Sequence, residues 1–186
     1  MGDDEGSAAN SDNPVSSSYE SYLKANPHLR EFLPFLEQLN KESPRGAVLI
    51  SAGYLEEQLR RTLLAFMRDV PTAGELTDGS NAPLGTLSAR IAAAFALGLI
   101  DDREHHDLNI IRKVRNEFAH SIHASFDDQS ISDRCANLLS SAHNYGTVKI
   151  DANGQFVTAA TALILNLVNR PHYVGQQRLE GKRWTI

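Results

Sequence analysis

From about residue 29 to residue 169 apolar residues recur every three or four positions, segment after segment. That period is the signature of amphipathic α-helices and leaves little room for any other fold class. The first stripe is Leu29, Phe32, Leu33, Leu36 and Leu39, in a helix expected to open after Asn26 with Pro27 and to run to about Lys41. Ser43 then Pro44 form a second start signal, a capping hydroxyl followed by a residue whose missing N–H is harmless there. Behind it Val48, Ser51, Leu55, Leu59, Leu63 and Phe66 line one face of a long helix. Residues 70–83, rich in Gly, Thr, Asp, Asn and Pro, read as a loop. The next helix carries Leu84, Leu87, Ile91 and Phe95 and ends near Gly98. Asp101 with Glu104 reads as a capping box, opening a helix with Leu108, Ile111, Val114 and Phe118 inward. Ile131, Cys135, Leu138 and Ala142 mark another helix. Residues 145–154 are turn-rich, with Val148 and Ile150 as a short extended piece, and the last strong helix covers 155–169 through Phe156, Ala160, Leu163 and Leu167.

Short connections between amphipathic helices mean an all-α, single-domain bundle, here of about six helices. With 186 residues, 41% of them hydrophobic, the chain can build one proper core and not two. Residues 1–16 are acidic, polar and poor in apolar groups, so a disordered tail is expected there, followed by a helical domain over 17–170 and a C-terminal extension over 171–186. In that extension the stretch from Arg178 to Trp184 mixes three cations with the single Trp, and is expected to fold back over its aromatic or fray.

Charge narrows the function. Asp3, Asp4, Glu5 and Asp12 carry four of the five net negative charges, which leaves a nearly neutral body. A general DNA-binding protein needs a net basic surface to neutralise phosphates. The chain has one cysteine, so no internal disulfide forms, and Cys135 falls at a core position of its helix. The N-terminus lacks the basic and apolar regions of a signal peptide, and no apolar run reaches the roughly twenty residues a bilayer requires. A cytoplasmic protein with no membrane contact is expected.

The chemistry-bearing segment is IRKVRNEFAHSIH, residues 111–123. At about 100° per residue Asn116 and His120 share a helix face, with Arg112 one turn back, while Arg115 diverges but has the reach to join them. Imidazole titrates near neutral pH, guanidinium grips phosphate in two places, and an amide orients either. Arg115, Asn116 and His120 can therefore make a phosphodiester site. The same residues can equally form a structural polar cluster, Asn116 bonding to His120 and Arg115 pairing with Glu56 or Glu57 of the long helix. Glu117 and His120 have di-iron spacing, but no second such pair exists, so neither metal nor cofactor is expected. His123, His105 and His106 read as solvated. The segment PLGTL at 83–87 lacks the phosphate-loop string and reads as a helix start in which Gly85 permits close packing.

Two resemblances attach to these residues. Arg115 to His120 resembles the Arg-x4-6-His motif of the HEPN superfamily, whose ribonucleases pair two such helices across a dimer without metal. That resemblance implies RNA cleavage with His120 as acid or base, Arg115 stabilising phosphate charge and Asn116 holding the imidazole, or nucleotide binding without cleavage. Over far more of the chain, about 29–169, the sequence resembles the mannitol operon repressor family, through RGAVLISA (45–52), YLEEQL (54–59), PLGTLSARI (83–91), FALGLI (95–100) and IRKVRNEFAH (111–120). This second resemblance implies an all-helical regulator of transcription. No helix-turn-helix is visible. Repression is therefore expected to run through a protein partner, such as another transcription factor, with homodimer formation compatible and direct DNA readout disfavoured.

Overall fold

The computed structural model describes residues 21–185 apart from Tyr22, Asn26, His28 and Ser80. The expected tail at 1–16 lies outside the described residues. Eight helices are defined among them: α1 (Leu29–Leu39), α2 (Pro44–Phe66), α3 (Pro71–Thr77), α4 (Leu87–Ala96), α5 (Asp102–His120), α6 (Gln129–Ala136), α7 (Ala152–Val168) and α8 (Arg170–Gly175). The fold is all-helical, as the periodicity requires. No described helix is long and apolar enough to cross a membrane.

α2 is the axis of the bundle. It packs on α7, α8, α5 and α4, while α1 covers α2 and α7, and α6 closes α7 and α5. Its inward face alternates Val48, Leu55, Leu59 and Leu63 with small Ala47, Ser51 and Ala52, all buried, which lets α7 approach closely. α7 answers with Phe156, Ala159, Ala160, Leu163, Ile164 and Leu167. Each large side chain buried here stabilises the fold by about 1.5–3 kcal/mol. Cys135 belongs to this core, fully buried, and burial pushes its thiol up to about 12. A thiol in that state is inert near neutral pH.

Local start signals decide where the helices begin. Ser43 accepts from the Gly46 N–H at 3.1 Å with Pro44 next to it. Asp101 and Glu104 form the reciprocal capping box. Gly98 ends the α4 region with a φ of +70°, a conformation glycine adopts without strain.

The differences from expectation have local causes. The segment read as a loop at 70–83 holds α3, because Pro71 at its first turn presets φ and Ala73 and Thr77 find burial against the bundle. α3 and the short α8 raise the count above six. α4 starts at Leu87, capped by Thr86, so Leu84 precedes it. α7 starts earlier than its apolar stripe suggests, because Asp151 caps it by accepting from the Gly154 N–H at 2.7 Å. Val148 makes only an isolated bridge with Tyr145. Past α8 the chain does fold back, Leu179 N–H donating to Phe66 O at 2.8 Å, but Trp184 stays 87% exposed.

Gly53 lies in the middle of α2, exposed, and a Cβ there would meet nothing within 4 Å. Gly53→Ala is expected to stabilise the protein by about 0.5–1 kcal/mol, through lower entropy of the unfolded chain. A thermal melt checks this; a lower Tm would mean that something packs against the bare backbone at that position.

Candidate functional site

α5 has two faces. Leu108, Ile111, Val114 and Phe118 are buried in the core. Arg112, Arg115 and Asn116, three and four residues apart, share another face and border a cleft of about 330 Å³. Across the cleft stands the beginning of α4, contributing Gly85, Thr86, Leu87 and Ser88, and α2 supplies Glu56.

Two features hold the α4 wall in place. Arg90, 92% buried by its 8% residual exposure, donates to three backbone carbonyls: Leu84 O at 2.8 Å, Thr77 O at 2.9 Å and Glu56 O at 3.1 Å. It thereby ties α2, the end of α3 and the entrance of α4 together. Gly85 makes the close approach that the sequence suggested: a Cβ there would stand 2.9 Å from Ala82 O.

The structure distributes the six candidate residues unevenly. Arg115 Nη1 donates to Asn116 Oδ1 at 3.2 Å and pairs with neither Glu56 nor Glu57. Glu57 instead accepts from Arg60 at 3.3 Å and Arg61 at 3.0 Å, on the surface away from the cleft. Glu56 stands 3.8 Å from Arg90. Arg112 has a buried Nε with no acceptor among the described residues. His120, the last residue of α5, is exposed and outside the cleft lining, and no hydrogen bond joins it to Asn116. Helical spacing put it on the right side, but the cleft ends a turn earlier.

The end of α5 is fixed by a residue that sequence reasoning did not single out. The Arg45 guanidinium donates to Phe118 O, to Ser121 O at 2.8 Å and to Ile122 O at 2.9 Å, and lies 5.5 Å from the Phe118 ring centroid. It satisfies carbonyls that a helix C-terminus leaves open. Arg90 was missed as well, although a lone cation within the apolar run IAAAFA and its flanks is a recognisable signal of a buried donor. The other imidazoles are busy elsewhere: His105 stacks on Phe95 at 4.0 Å and is not simply solvated, and His106 contacts Asn137 O at 3.0 Å. Glu117 pairs with Arg134 at 3.1 Å. No three His, Cys, Asp or Glu side chains converge as metal ligands among the described residues.

The cleft is thus a polar recess with two guanidiniums, an amide, hydroxyls and the Glu56 carboxylate, and no imidazole in its lining. It can bind and orient a charged group. The fold is that of an all-helical domain with a polar cleft beside α5. The chain belongs to the mannitol repressor family, whose model matches residues 34–160. Among solved structures it is similar to the MtlR-HPr complex from Escherichia coli, at 22% identity and a TM-score of 0.56, over 77% of this chain and 98% of that one. No curated protein gives a significant match.

Proposed function

We propose that this protein is a repressor-type regulator of transcription that works by contacting a protein, of the HPr kind, rather than by reading DNA. Membership of the mannitol repressor family across residues 34–160 carries the reading. The similar solved fold is that of a protein in complex with HPr, which supports a protein as the partner. The surface suits such contacts: Ile122 is 84% and Tyr145 87% exposed, apolar groups on otherwise polar loops. With a net charge of −5, the chain has no overall pull on nucleic acid.

The ribonuclease alternative gains no support from the geometry. It requires His120 beside Arg115 and Asn116, and only the latter two border the cleft. Purified full-length protein is expected neither to retain promoter DNA in a sequence-dependent way nor to cleave a mixed RNA pool in EDTA. Tight, sequence-specific DNA retention by the isolated chain would sink the partner reading. RNA cleavage by the wild type but not by His120→Ala would replace it with the nuclease.

A further inference from the structure

The cleft beside α5 holds two guanidiniums without a counter-charge. Arg112 and Arg115 both border it, and neither lies within ion-pair distance of a carboxylate among the described residues. Among the described residues Arg60, Arg61, Arg90, Arg134, Arg170 and Arg178 each pair with a carboxylate. The Nε of Arg112 is shielded from solvent and still has no acceptor. Leaving a charged donor in that state is costly, and a bound acceptor removes the cost. The single carboxylate in the lining, Glu56, stands 3.8 Å from Arg90 and pairs there instead.

The opposite wall is also built for negative charge. α4, ten residues long, begins there, with the Thr86 hydroxyl accepting from the Ala89 N–H at 3.2 Å. The N–H groups of Leu87 and Ser88 in the same first turn have no acceptor among the described residues. Helix N-termini favour anions through such open N–H groups and the helix dipole. The recess of about 330 Å³ lies at the small end of ligand sites, with room for a phosphate group and a compact body.

We propose that the cleft between α2, α4 and α5 binds a small phosphate-bearing anion, either free phosphate or a compact phosphate monoester. Arg112 and Arg115 clamp the phosphoryl oxygens from one side, and the first turn of α4, with Ser88, donates from the other. Planar guanidinium forks match phosphate oxygens two at a time. The proposal rests on the cleft's own residues and not on the partner reading.

Calorimetry and thermal melts of the full chain test the proposal, using inorganic phosphate, glycerol phosphate and, as a control, chloride at equal ionic strength. Saturable binding of phosphate with a rise in Tm is expected, absent with chloride. Tighter binding of glycerol phosphate would identify a monoester site, and equal or weaker binding a free-phosphate site. Arg112→Gln and Arg115→Gln should each weaken binding about tenfold or more. Arg134→Gln, which removes only the surface pair with Glu117, should leave it unchanged. Ser88→Asp places a carboxylate in the first turn of α4 facing both guanidiniums. It should abolish phosphate binding while raising the Tm of the unliganded protein, a result that unfolding cannot imitate. Wild-type affinity in Ser88→Asp, no saturation by any of these anions, or an equal response to chloride would overturn the proposal.

Discussion

Arg90→Met should lower stability by about 3–5 kcal/mol, because three carbonyls, one buried and two partly buried, lose a charged donor at once. The methionine fills most of the volume, so the loss reports hydrogen bonds rather than a cavity. In a chain of this size that corresponds to a fall in Tm of about 10 °C. Glu56→Gln removes only the carboxylate 3.8 Å away and should cost under about 1 kcal/mol. Comparing the two by denaturant unfolding separates the backbone staple from the ion pair. If both variants lose the same small amount, Arg90 does not hold the α4 wall, and the cleft is shaped by packing alone.

The second large effect lies at the other end of α5. Arg170 donates to both oxygens of Glu104, at 2.6 and 3.1 Å, and to Leu99 O at 2.7 Å. Glu104 is nearly buried, with 7% side-chain exposure, while it also accepts from the Asp101 N–H at 3.1 Å to close the capping box. Arg170→Met strands that carboxylate and should cost about 3 kcal/mol, the lower part of the range for breaking a buried pair because Arg170 itself is 26% exposed. The double variant Arg170→Met with Glu104→Gln should recover about 1–2 kcal/mol, since the amide retains the capping bond without a charge to desolvate. Unfolding curves of the wild type, both single variants and the double variant give the coupling directly. A double variant no better than Arg170→Met would place the cost in the lost Leu99 contact.

These two arginines show where the sequence was readable. Helix starts at Ser43 and Asp101 could be named in advance, because a cap is a local event between residues three apart. The core could be named too, since Leu55, Leu59, Leu63, Ile111 and Phe118 follow one period and are buried together. Short α3 escaped notice because its residues PTAGELT have turn-like composition, and it depends on tertiary burial of Ala73 and Thr77. The functional cluster was half legible. Spacing along α5 put Arg112, Arg115 and Asn116 on one face, and they do border one cleft. Spacing alone does not say how far a cleft extends along a helix, and this one ends before His120. Arg45 and Arg90 act across 73 and 34 residues of sequence, on Phe118 and Glu56, and no local pattern announces such partners. Trp184 illustrates the opposite limit: a lone aromatic in a tail invites a folded-back reading, but among the described residues the last backbone hydrogen bond to the bundle is at Leu179, and Trp184 stays exposed.

Action through a protein partner is tested most directly by a calorimetric titration of the protein with HPr from the same cell, run beside a promoter-fragment gel shift with the isolated chain. Saturable binding of HPr and no sequence-dependent retention of DNA are expected. No heat with HPr, together with specific DNA retention by the chain alone, would contradict the partner reading.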